Sequence, residues 1–129
     1  IVLIAAAGNE GPRAAALYPA ADPHVVAVSA VDERTQIYVN DNRGPYIALA
    51  APGVDVLVAA PRAAYDLTTG TSVACAEVSG IAALVLEEKP NLDGPALRRL
   101  LQDTAHAFDG VTGAGAGIAD AQAAVERVH

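Results

Sequence analysis

Gly70-Thr71-Ser72-Val73-Ala74-Cys75-Ala76-Glu77-Val78-Ser79-Gly80-Ile81-Ala82-Ala83-Leu84-Val85-Leu86-Glu87-Glu88-Lys89 reads as a single helix with a reactive residue type at its head. The segment is rich in Ala, Leu and Val, starts at Thr71 and is stopped by Pro90. Its opening turns are apolar on nearly every face, which predicts a helix enclosed by other elements rather than one lying on a surface. The first N–H groups of such a helix have no intrahelical acceptor and carry the positive end of the macrodipole, so an anion forming beside Ser72 is stabilised there. Helix physics alone favours a plainer role, with Thr71 or Ser72 as an N-cap. A nucleophile needs further support.

Ile1-Val2-Leu3-Ile4-Ala5-Ala6-Ala7-Gly8-Asn9-Glu10-Gly11 is the second informative stretch. A continuous apolar run ending in Gly-Asn-Glu-Gly predicts a strand buried on both faces, of the parallel-sheet kind, followed by a tight loop. Ligands of open parallel sheets sit at such carboxyl ends. Asn9 then offers a side-chain amide donor at the mouth of the sheet, a group able to stabilise a tetrahedral oxyanion. Further buried strands are expected at about residues 24–31 and 46–51, with a polar turn region from Asp32 to Pro45 between them. A hairpin is expected from 54–59 and 64–68 around Pro61-Arg62. Helices follow at about 93–105, with Asp93 at its start, and 119–127.

Taken in order, Ala5-Ala6-Ala7-Gly8-Asn9-Glu10, Tyr18-Pro19-Ala20, Ala50-Ala51-Pro52-Gly53, Gly70-Thr71-Ser72-Val73-Ala74 and Val78-Ser79-Gly80 resemble the motifs of the carboxyl-terminal half of subtilisin-like serine proteases. Gly113-Ala114-Gly115-Ala116-Gly117-Ile118 and Asp120-Ala121-Gln122-Ala123-Ala124-Val125 resemble that family's closing turn and final helix. The resemblance spans nearly the whole chain, and several motifs in order are specific where any one is weak. It implies a three-layer α/β fold, a mostly parallel sheet flanked by helices, with residues 1–129 expected to be the carboxyl-terminal portion of one peptidase domain and no second domain.

The resemblance also implies chemistry. Ser72 is the expected nucleophile toward a peptide carbonyl, and Asn9 with the Ser72 N–H the expected oxyanion site, while a histidine moves the proton and an aspartate orients it. Ala6, Ala7 and Gly8 are expected to edge the pocket for the substrate side chain, with Tyr18 and Pro19 near its floor and a cis bond between those two. Cofactors are not required by this chemistry. Calcium is admitted by the resemblance alone, because no acidic loop has a recognisable ligand spacing.

The motifs that carry the family's aspartate and histidine, of the Asp-Thr-Gly and His-Gly-Thr-His type, do not occur here. His24, His106 and His129 lack the local context of a catalytic base and read as loop or surface residues. The expected partners are therefore a polypeptide substrate and an upstream segment or another chain supplying Asp and His. The sequence has no Met, even at position 1, and begins inside a strand-like run, so it is read as a fragment. A non-catalytic binding or scaffold module of the same fold is the alternative, encouraged by Ala76 and Glu77 where the family usually has Pro and His. A phosphate-binding α/β domain ranks last, since the glycine loop lacks the required frame. An α/β-hydrolase is disfavoured too, because Ser72 has no Gly-x-Ser-x-Gly.

Composition narrows the rest. Of the 129 residues 53% are hydrophobic and 4% aromatic, so the core must be built from small aliphatic side chains. A net charge of −7 argues against nucleic acid and anionic membranes as partners. No run has the form of a signal peptide or a membrane span, while the family resemblance favours secretion. Cys75, the single cysteine, reads as a small buried hydrophobe rather than a reactive thiol, and Glu77 as a carboxylate that is structurally paired.

Overall fold

The computed structural model describes residues 1–129. Val25-Val26-Ala27-Val28-Ser29-Ala30-Val31 forms the strand at its centre, β2, buried along its entire length. Small and β-branched residues suit a strand covered on both faces. It lies between β1 (Leu3–Ala6) and β3 (Ile47–Pro52), pairing parallel with both. Ala5 sits opposite Ala27 and Leu49 opposite Val28 in the registers. A hairpin, β4 (Val56–Ala60) with β5 (Ala64–Thr68), makes a separate antiparallel ribbon and delivers the chain to the long helix.

That helix, α1 (Thr71–Glu88), packs across all three parallel strands, and α2 (Gly94–Thr104) and α3 (Ala121–Val128) join it. The architecture is three-layer α/β, a parallel sheet with helices flanking it. Val26, Val28 and Ala30 of β2 meet Ala74, Val78, Ala82 and Val85 of α1, with Leu97, Leu101 and Ala124 completing the main core. Ala5, Ala20, Val25 and Ala27 form a second cluster. Asp93 and Asp120 cap α2 and α3, their carboxylates accepting from the N–H groups of Ala96 and Ala123 at 2.8 Å. All five strands and all three helices lie within a few residues of their sequence-based positions.

Two elements are more exposed than expected. β1 is not buried on both faces: Leu3 is 55% exposed and only Ala5 within the strand is buried. The cause is its place at the edge of the sheet, where one side of the backbone has no neighbour. Nor is α1 enclosed. Its buried line is Thr71, Ala74, Val78, Ala82 and Val85, while Ser72, Ala76, Ser79, Gly80 and Ala83 are exposed and Leu84 is 50% exposed. The opposite sheet edge differs, since Ala116 N donates to Ala48 O, and Ala50 N to Gly117 O, so the closing segment runs along β3 and covers it.

Cys75 is half-buried, and burial pushes its thiol pKa up, against thiolate reactivity. Glu77 is not paired as expected. It makes no hydrogen bond or ion pair, and partial burial raises its pKa.

The buried polar residues are few: Ser29, Asp41, Asn42 and Thr71. Asp41 ties the loop after β2 back to that strand, accepting from the Ser29 hydroxyl and from Ala30 N at 3.1 Å. Its other oxygen has no partner. Burial raises the pKa from 3.8 to about 6, against the Ser29 and Ala30 hydrogen bonds and the nearby Arg43 charge, all of which favour the anion. A carboxyl held above its ordinary pKa contributes stability that is full below 3.8 and is lost as pH rises through about 6. The stability advantage of the wild-type chain over Asp41→Asn is therefore expected to shrink between pH 4 and pH 7, read from urea midpoints. A difference that stays constant with pH would show that Asp41 does not titrate in this range.

Candidate active site

The site is assembled where β1 and β3 end and α1 begins. Gly53, just past β3, accepts from Gly70 N at 2.8 Å and donates to Val31 O at 2.9 Å. A Cβ on Gly53 would lie 2.7 Å from Ala30 Cβ and 2.8 Å from Gly70 O, so the head of α1 can approach the sheet only over a glycine. Gly70 itself adopts φ 158 and ψ 159, a region open essentially to glycine alone, and sets Thr71 and Ser72 at the first helical positions.

Neither Thr71 nor Ser72 caps the helix; Gly70 is the N-cap and has no side chain to do so. The capping acceptor comes from across the molecule. Asn9 Oδ1 accepts from Thr71 N at 2.9 Å and from the Thr71 hydroxyl at 3.0 Å, and that hydroxyl in turn accepts from Gly8 N at 3.1 Å. One orphan N–H of α1 is thereby satisfied by a residue 62 positions earlier.

This arrangement decides how the Asn9 amide faces. With Oδ1 held by two donors of Thr71, Nδ2 is turned away from them and donates to nothing in the protein. Ser72 N is also unused. A methyl on Gly70 would stand 3.6 Å from Asn9 Nδ2 and 3.9 Å from Ser72 N, so the space left open by Gly70 lies beside both free donors. The Ser72 side chain is exposed, and its hydroxyl makes no hydrogen bond. Two free N–H donors beside a free hydroxyl, at a helix N-terminus, can hold an oxyanion next to a nucleophile.

Each histidine is occupied elsewhere. His24 pairs with Asp22 at 3.1 Å, His106 with Asp120 at 2.7 Å, and His129 with Glu88 at 3.1 Å. Glu88 ends α1, roughly 24 Å along the axis from Ser72 at a rise of about 1.5 Å per residue. Asp22 is held below its ordinary pKa, chiefly by accepting from the backbone of His24, and Asp120 likewise by the N–H of Ala123. These are turn and cap carboxylates. No three His, Cys, Asp or Glu side chains converge as a metal centre.

The expected pocket residues are only partly gathered. Gly8 adjoins Asn9 and Thr71, and Leu17 Cδ1 lies within 2.9 Å of where a Gly8 Cβ would be. Ala6 is half-buried, Ala7 fully buried, and Tyr18 is 79% exposed, with a cis bond to Pro19. None of the surface pockets is lined by Ala6, Ala7, Gly8, Tyr18 or Pro19. The sequence does not mark the tie from Thr71 to Asn9 and Gly8, nor the burial of Asn42 whose Oδ1 accepts from Glu10 N beside Asn9 at 2.8 Å. Thr71 was overshadowed by the serine beside it, and Asn42 lay unmarked in a polar turn region.

Known proteins share this pattern. Residues 1–124 match the Subtilase family. The halolysin-like extracellular serine protease Nep of Natrialba magadii is 44% identical over 104 residues, covering 81% of this chain and 19% of that protein. Subtilisin E of Bacillus subtilis (strain 168) is 35% identical over 129 residues, covering 98% of this chain and 34% of that protein. The structure of the prenylagaramide maturation protease PagA superposes with a TM-score of 0.82 at 30% identity, over 100% of this chain and 51% of that one. This chain thus spans about a third of the Bacillus relative's length, and with its ordered motifs, parallel sheet and serine-headed helix it belongs to the subtilase family.

Proposed function

We propose that this chain is the Ser- and oxyanion-bearing portion of a serine endopeptidase that cleaves polypeptides through an acyl-enzyme. Ser72 is the nucleophile. The observation that carries this reading is the pair of unoccupied donors, Asn9 Nδ2 and Ser72 N, beside an exposed hydroxyl that no other group claims. Attack by the Ser72 oxygen on a peptide carbonyl puts negative charge on the carbonyl oxygen, and these donors face where that charge develops. Ala6, Ala7 and Gly8, with Tyr18 and Pro19, border the substrate side chain before the scissile bond. Secretion is part of the proposal, supported by the word extracellular in the name of the Natrialba relative.

The base and its orienting carboxylate come from chain outside these residues, or from another chain. Its seat is the surface left bare here: the open edge of β1 with Leu3, and the adjoining face of α1 with Ser79 and Ala83. A groove lined mainly by Val2, Leu3, Ile4, Ala82, Ala83 and Leu86 runs between the two. A strand added to β1 would satisfy its unpaired backbone and cover that groove.

Three outcomes test these statements. The 129-residue chain alone is expected to show no peptidase turnover and no Ser72-dependent labelling by a fluorophosphonate, since general base catalysis typically supplies about 10²–10⁴-fold. Rapid labelling lost in Ser72→Ala would overturn that. In the longer protein, Asn9→Ala is expected to lower kcat by about 10²–10³, the magnitude known from the corresponding loss in subtilisin; an unchanged kcat would remove Asn9 from the oxyanion site, and a Ser72→Ala protein of full activity would refute the function itself. Ala83→Glu should cost the isolated chain no more than about 0.5 kcal/mol, as an exposed substitution does, yet sharply destabilise the longer protein. Equal effects in both contexts would place the missing segment elsewhere.

A further inference from the structure

The loop that carries Asn9 is held from a side that the reaction itself does not involve. Asn42 N donates to Gly8 O at 3.0 Å, and Asn42 Oδ1 accepts from Glu10 N at 2.8 Å, so one residue grips the chain immediately before and after Asn9. Gly11 N adds a third bond, to Asn40 O at 2.8 Å. The Asn42 amide is packed onto Gly8 so closely that a Cβ there would lie 2.7 Å from its Nδ2. Asn42 is fully buried, and its neighbour Asp41 is anchored to β2 through Ser29 and Ala30. A rigid path therefore leads from the central strand through Asp41 and Asn42 to Asn9.

We propose that Asn42 is a positioning residue of the oxyanion site, fixing the backbone on both sides of Asn9 and hence the direction of its amide. The proposal rests on the reading of Asn9 as an oxyanion donor. Asn42 makes no hydrogen bond to Ser72, so it reaches the oxyanion site only through the loop of residues 8–10 that carries Asn9. Donor geometry matters only as charge develops on the carbonyl oxygen, so its loss falls on kcat rather than on substrate binding.

The test uses the full-length protein. Asn42→Ala is expected to lower kcat at least about tenfold with KM within about twofold, because small misplacements at a reacting centre are costly. Combined with Asn9→Ala, it should add no more than about twofold to the loss from Asn9→Ala alone, as expected for residues acting as a unit. Asn42→Asp keeps an oxygen facing Glu10 N and should restore most of the rate. An unchanged kcat, or losses that multiply, would overturn the proposal. If Asn42→Ala does not fold, Asn42→Leu, of similar volume and without polar atoms, carries the same expectations.

Amide exchange separates this proposal from the functional reading beneath it. The Thr71 N–H, at the first helical position, has Asn9 Oδ1 as its acceptor, so its protection reports where the Asn9 side chain lies. Asn42→Ala should speed its exchange about tenfold while the amides of Val78 and Val85 keep theirs; unchanged protection at Thr71 refutes positioning. A wild-type protein without Ser72-dependent turnover refutes the peptidase reading instead, and exchange at Thr71 still decides the role of Asn42.

Discussion

The hydrogen bonds between Asn9 and Thr71 are the joint on which the rest of this structure depends. They connect the end of an edge strand to the first turn of the longest helix, two elements whose ends carry complementary unsatisfied groups. The helix gains an acceptor for an orphan N–H, and the loop gains a fixed side chain. A single amide thereby serves both: its oxygen is consumed structurally and its nitrogen is left free. The same economy makes the site sensitive, because loosening either element turns the donor away from Ser72.

Behind that joint stands a short chain of buried polar groups. Ser29 is the one polar residue in a strand otherwise made of Val and Ala, and it meets Asp41, which cannot be solvated where it sits. Buried polar contacts of this kind contribute little net stability but specify one arrangement, since any misplacement leaves a group unpaired. Here the specified arrangement is the path of residues 40–42, and through them the loop of residues 8–11. The apolar core could accept many small rearrangements among its Val and Ala residues; the polar path cannot.

The bareness of β1 and α1 follows from the same geometry. Closing residues cover β3 but nothing covers β1, so the sheet is finished on one edge and open on the other. Ser72 lies on the exposed side of α1, in line with Ala76, Ser79 and Ala83. A segment seated on that stripe would cover the open edge of β1 and adjoin Ser72.

Much of this was legible in the residues. The largely apolar run at Val25–Val31 predicts a buried strand, the Ala-rich segment after Gly70 a long helix, and Asp93 the start of the helix after it, because periodicity, propensity and capping are local properties. Ser72 and Asn9 stood out through ordered motifs. Burial was not legible, since Leu3 and Leu84 are as apolar as any core residue and their exposure depends on which neighbours are present. Nor were the roles of Thr71, Asp41 and Asn42, whose partners lie 63, 12 and 32 positions away in the chain. The sequence by itself determined the elements, their order and the nucleophile candidate. Only the tertiary structure decided which way the Asn9 amide faces and what holds it, because hydrogen bonds between distant segments exist only once the sheet has brought those segments together.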